Sequence, residues 1–145
     1  MKTLNLYITE GGFFKNINAE IVTPKNKNEL IKIIRDTIEK EGLNCNLNFI
    51  NTSKITDMSR LFEASNFDGD ISEWDVHNVE NMSSMFIGSK FNRDISNWHA
   101  EHTYTYNMFD DCHIKAEYKP KNIYDYKILK FLFQDFILLH ILTYQ

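Results

Sequence analysis

Residues 52–75, TSKITDMSRLFEASNFDGDISEWD, and residues 76–99, VHNVENMSSMFIGSKFNRDISNWH, are two copies of one unit. By direct count 9 of the 24 paired positions are identical, and the matches gather at apolar sites. Met58 pairs with Met82, Phe62 with Phe86, Phe67 with Phe91, Ile71 with Ile95 and Trp74 with Trp98. The register runs backwards, where Leu43, Leu47 and Ile50 stand 24 residues before Phe67, Ile71 and Trp74. It runs forwards with one residue deleted, mapping Phe86 to Phe109, Ser89 to Cys112 and Phe91 to Ile114. A period in the low twenties with fixed apolar positions marks stacked repeats, because no single unit can bury its apolar face alone.

That period predicts an α+β fold, a short leucine-rich-repeat-like solenoid of about three coils with parallel strands. The coils would start at Leu43, Phe67 and Phe91, with a fourth strand from about Ile114. Strands are expected over 45–50, 69–74 and 93–98, roughly 5 Å apart. The apolar spacing of three and four over 55–62 and 79–86 predicts short helical returns. Three ladders should fill the core: Leu47–Ile71–Ile95, Ile50–Trp74–Trp98 and Phe62–Phe86–Phe109.

The strings ITDMSRLF…NFDGDISEWDV and NVENMSSMFIGSKFNRDISNW resemble the BspA-like leucine-rich repeat family of Mycoplasma and Bacteroidetes surface proteins. The resemblance covers about residues 43–118. The recurring MSxMF, FN-DIS and Trp positions carry it. It implies a solenoid and a binding role, often at cell surfaces. The third copy, AEHTYTYNMF over 100–109, departs from the pattern by lacking its Val and first Met.

The flanks read as caps within one domain, 1–145: a hairpin–helix cap over 1–42, the repeats over 43–118 and a helical cap over 119–145. Residues 3–8 alternate as a strand, Gly11 and Gly12 turn, and 13–22 return as a second strand. Asn26 with Glu29 three residues on forms a capping-box-like start to a helix, and Gly42 stops it. Leu30, Ile31, Ile33, Ile34 and Ile38 would supply its buried face. Pro120 ends the repeats, and 122–143 should be a helix. Its apolar surface is wider than one packing face needs, so it either only caps or also meets a partner or a second copy in a homodimer.

The whole chain has 145 residues, 43% hydrophobic and 25% charged, enough apolar material for a packed core. Sixteen basic against 20 acidic residues give a net charge of −4, which argues against a nucleic-acid binder and its basic footprint. The first residues lack the apolar run and small-residue cleavage site of a secretory signal, so a cytoplasmic location is expected. Segment 128–142 is apolar but carries Lys130 and Asp135 and falls short of the roughly 20 residues of a membrane span. Two cysteines make no disulfide scaffold, and Cys45 and Cys112 stand nearly three repeats apart, beyond bridging distance.

No catalytic constellation appears. There is no nucleophile elbow, glycine-rich phosphate loop or HExxH helix, and no cofactor is expected. His99, His102, Cys112 and His113 are the one set that could hold a metal, yet Cys112 replaces Ser65 and Ser89 at a small repeat position, which explains it without one. Asp70 and Asp94 resemble a glycosidase carboxylate pair, and their recurrence is better explained by the repeat.

The same recurrence defines a candidate partner face. Strand alternation would line up Asn46, Asp70 and Asp94 with Glu117, and Asn48, Ser72 and Ser96 with Lys119. Glu73, Asp75 and Glu80 lie nearby. Either these columns satisfy neighbouring backbone groups, or they form an acidic face for a protein with a basic surface. Phe13 and Phe14 fit either core or contact, and Tyr104 and Tyr106 are the better aromatic anchors because they interrupt the repeat. The expectation is a non-enzymatic intracellular protein-binding module using Asp70, Ser72, Glu73, Asp94, Ser96, Tyr104, Tyr106 and Glu117. The first alternative is a phage or mobile-element inhibitor of a host defence nuclease, anti-CRISPR-like, docking its acidic face on a basic nucleic-acid channel. The second is a fragment of a surface repeat protein.

Overall fold

A short helix precedes the repeats, and its ends follow from side-chain chemistry. In the computed structural model, which describes residues 21–121 and Ile123, helix α1 spans Lys27–Glu41. The Asn26 side chain accepts the Glu29 N–H at 3.0 Å, and the Glu29 carboxylate reaches back to the Lys25 N–H at 2.8 Å. The reciprocal cap thus closes one residue earlier than the capping-box pattern places it. Gly42, at φ +89°, ends the helix, and its N–H donates to the Ile38 carbonyl at 2.8 Å. Leu30 and Ile34 are buried, Ile33 and Ile38 pack partly against the core, and Ile31 faces outward.

The parallel-strand solenoid is not what the chain builds. Among the described residues there is one α-helix, one 3-10 turn at Ala116–Tyr118 and no strand. The expected strands over 45–50 and 69–74 shrink to isolated parallel bridges, Asn46 with Asp70 and Ile50 with Val22, and neither 93–98 nor the segment from Ile114, which makes the 3-10 turn, forms even a bridge. Local side-chain chemistry is the cause. Asn46, Asp70 and Asp94 each accept the backbone N–H two residues on, from Asn48, Ser72 and Ser96 at 2.8, 3.0 and 2.9 Å. Ile50, Trp74 and Trp98 then donate to the carbonyls three residues back. Each Asx turn bends the chain where a ladder would have continued.

The expected helical returns are also replaced by turns. Leu61, Glu63 and Ser65 donate to Met58, Arg60 and Phe62, closing three successive four-residue turns. Met85, Ile87 and Ser89 repeat this on Met82, Ser84 and Phe86, and Met108, Asp110 and Cys112 repeat it on Thr105, Asn107 and Phe109. Positive φ recurs at Arg60, Ser84 and Asn107 (57°, 56°, 53°) and at Ala64, Gly88 and Asp111 (50°, 65°, 53°). A left-handed residue in each of these turns forbids helix continuation. Inward residues such as Ile55, Met58 and Phe62 still fall three and four apart, which is why the spacing read as helical.

Alternate N–H groups of this ribbon leave the turn and pair with the next repeat. Met58, Arg60, Phe62 and Ala64 donate to the carbonyls of Asn81, Ser83, Met85 and Ile87 at 2.8–3.0 Å. Met82, Ser84, Phe86 and Gly88 donate in the same way to Tyr104, Tyr106, Met108 and Asp110 at 2.8–2.9 Å. The side chains follow the register. Phe62, Phe86 and Phe109 stack at 5.5 and 5.6 Å, Phe67 stacks on Phe91 at 6.3 Å, and Trp74 on Trp98 at 6.4 Å. Leu47, Ile71 and Ile95 are fully buried. Before α1, Val22 pairs with Ile50 and is bonded to Phe49 and Asn51. The remaining expectations for 3–20, including Phe13 and Phe14, and for the 122–143 helix and its homodimer lie outside the described residues.

Candidate binding surface at the last repeat

The third repeat differs from the others at one face. Asp57 and Asn81 sit in register with Tyr104 through parallel bridges. In the first two repeats the Asp57 and Asn81 side chains accept the N–H of Ser59 and Ser83 at 2.7 and 2.9 Å. Lys27 reaches from α1 to Asp57 and to the Ser59 hydroxyl at 2.7 Å. Burial raises the Asp57 pKa, but the Ser59 hydroxyl and N–H and the Lys27 ammonium hold it below the ordinary carboxylate value. The last copy puts Tyr104 and Tyr106 in these places. Their rings stack at 6.2 Å and stay 44% and 43% exposed.

Beside Tyr106 lies a cavity of about 700 Å³, within the usual range for ligand pockets of about 300–1,000 Å³. One wall is the turn ribbon, with Asn107 and Phe109. The other is the segment after the ribbon, with Glu117, Lys119 and Lys121. The Lys119 ammonium lies 5.2 Å from the Phe109 ring centre, a cation–π contact. Of the eight sequence-predicted residues, Ser96, Tyr106 and Glu117 line this cavity, and Tyr104 stacks on its edge through Tyr106.

Asp70, Ser72, Glu73 and Asp94 do not line it. Asp70 accepts the Ser72 N–H and hydroxyl, and Asn46 donates to it at 3.4 Å. Burial raises its pKa, and the Ser72 bonds, with Asn48 and Arg93, outweigh that and lower it. Asp94 is exposed and held low chiefly by the Ser96 N–H. Glu73 donates its N–H to Asn48, and the Ser72 carbonyl accepts the Asn97 amide. Two of the metal candidates, Cys112 and His99, have contacts of their own, and among the described residues no three His, Cys, Asp or Glu are grouped to hold a metal ion. Cys112 touches the Ser89 hydroxyl at 3.3 Å and the Phe91 carbonyl at 3.4 Å, and His99 faces Glu101.

Sequence reasoning overlooked Asn107, Phe109 and Lys121 as lining residues. The break of the Asx-x-Ser pair at 104–106 pointed to Tyr104 and Tyr106 themselves, but nothing in the repeat pattern tied Asn107, Phe109 and Lys121 to one cavity.

Fold and site together define a protein of in-register turn repeats whose last unit carries an aromatic, cavity-bearing surface. The model of a Mycoplasma protein family of unknown function, DUF285, matches residues 30–134, and the chain belongs to that family. No curated protein and no solved structure matches it. Among the described residues no helix is long and apolar enough to cross a membrane.

Proposed function

We propose that the chain is a non-catalytic protein-binding module whose contact centres on Tyr104 and Tyr106. The observation that carries this reading is the stacked, half-exposed tyrosine pair beside an open cavity. Tyrosine gives large rigid contact area at small entropy cost and is enriched among interface anchors. The resemblance to BspA-like repeats supports a binding role of the same kind. An intracellular setting belongs to this reading as well.

The inhibitor alternative needs an acidic face free to meet a basic channel. Asp70 and Asp94 each commit Oδ1 to closing a turn, and no observation sets a basic surface against them or favours this face over the tyrosine surface. The surface-fragment alternative rests on the resemblance alone.

The test is affinity capture with the full chain and with Tyr104→Ala/Tyr106→Ala as paired baits, each checked for an unchanged thermal midpoint. A partner held by the wild type should fall at least about tenfold with the double variant, about 1.4 kcal/mol. Equal capture by both baits overturns the proposal.

A further inference from the structure

Two of the three repeats hand their ribbon N–H groups to the next repeat. Ser84, Phe86 and Gly88 reach the carbonyls of Tyr106, Met108 and Asp110 at 2.8, 2.9 and 2.8 Å. The third repeat has the same backbone form, with Asn107 and Asp111 both at φ 53° and the same turns closed on Asn107 and Phe109. That form aims the N–H groups of Asn107, Phe109 and Asp111 the way Ser84, Phe86 and Gly88 aim theirs. Among the described residues no acceptor meets these three. Asn107 and Phe109 open directly onto the 700 Å³ cavity.

We propose that this edge takes a peptide segment of a partner protein, folded in the repeat's own turn form, whose alternate carbonyls accept the N–H groups of Asn107, Phe109 and Asp111. The inference rests on the protein-binding reading and names its partner class. The choice of occupant comes from the ladder itself. The chain pairs this donor row twice, each time with carbonyls two residues apart on a segment of the same form, and a ring then stacks on Phe62 or Phe86. An aromatic residue of the incoming segment would stack on Phe109 in place of the Lys119 ammonium. Backbone pairing supplies affinity in this mode, and the ring position supplies specificity.

The experiment uses the full ¹⁵N-labelled chain and a synthetic peptide of residues 76–99, which carries the acceptor row. In the free chain the amides of Asn107, Phe109 and Asp111 should exchange at least about tenfold faster than those of Ser84, Phe86 and Gly88. Saturating peptide should slow and shift these three, and a peptide with Phe86→Ala should do so at least about tenfold less well. Four results overturn the proposal. The amides are already protected in the free chain at every concentration, which means the chain closes its own edge. They gain protection as the chain alone is concentrated, which assigns the edge to a second copy. The peptide moves only Tyr104 and Tyr106, which leaves the binding-module reading standing without the edge. The peptide changes nothing, in which case the paired-bait capture still decides the tyrosine surface separately.

Discussion

Asp70 accepts both the backbone N–H of Ser72, at 3.0 Å, and its hydroxyl, at 2.8 Å. This pair turns the chain one residue after the buried Ile71 and converts an expected strand into a bend. The sequence Asx-x-Ser recurs at 57–59, 81–83 and 94–96 with the same bond to the backbone. The repeat is therefore held by side-chain caps on turns together with the inter-repeat ladder.

Removing one such cap should cost what helix caps cost. Asp70→Ala leaves the Ser72 N–H without its acceptor and should lower stability by about 1 kcal/mol, within about 0.5–2. Asp70→Asn keeps an acceptor oxygen and should cost less. Urea unfolding of the three chains measures both. An Asp70→Ala chain as stable as wild type would remove the turn-cap account.

The same bonds set an acid response. Asp57, Asp70, Asp75 and Asp94 are all held below the ordinary carboxylate value: Asp75 by the His77 side chain, Asp94 by the Ser96 N–H, and Asp57 and Asp70 by bonds that outweigh their burial. A carboxyl with a depressed folded pKa adds stability above its unfolded pKa of about 3.9 and loses it as pH falls through the folded value. Stability should thus hold from about pH 7 to 5 and decline below about pH 4. Asp57→Asn with Asp70→Asn should flatten that decline, as read from chemical unfolding across pH.

Two glycines separate steric from conformational demand. A Cβ on Gly69 would lie 2.1 Å from the Cys45 carbonyl oxygen, a rigid backbone atom. Gly88 sits at φ +65°, and its Cβ would meet nothing nearer than the Ala64 Cα at 3.9 Å. Gly88→Ala should therefore cost only the left-handed penalty of about 1–2 kcal/mol. Gly69→Ala forces neighbouring repeats apart and should cost more, up to loss of the cooperative transition in a thermal melt. Equal midpoints for the two variants would contradict the register.

The sequence made the stacking legible and the backbone illegible, for one physical reason. Apolar identity at 24-residue spacing reports which side chains must meet, and Phe62, Phe86 and Phe109 do meet. Alternation and three–four spacing report only which residues point inward, and turns with left-handed Arg60 and Ser84 produce the same inward pattern as strands and helices. The aspartates were legible as recurrent, but whether their oxygens face a partner or the backbone depends on a turn that composition does not reveal. Tyr104 and Tyr106 were legible because they break the recurrence. The cavity was not, since its walls come from segments that no repeat rule relates.

The stacked tryptophans give the last prediction, because their environments differ where the repeat makes them equivalent. Trp74 Nε1 donates to the Leu47 carbonyl at 3.0 Å, while Trp98 Nε1 is buried and meets no acceptor among the described residues. Both rings are nearly fully buried and parallel, so replacement by phenylalanine removes similar area at each site. Trp74→Phe additionally loses a satisfied hydrogen bond, whereas Trp98→Phe removes a donor that folding strips of water without return. Trp98→Phe should thus cost about 1 kcal/mol less than Trp74→Phe. Matched urea titrations decide it, and a larger loss at Trp98 would mean that its indole N–H finds an acceptor in solution.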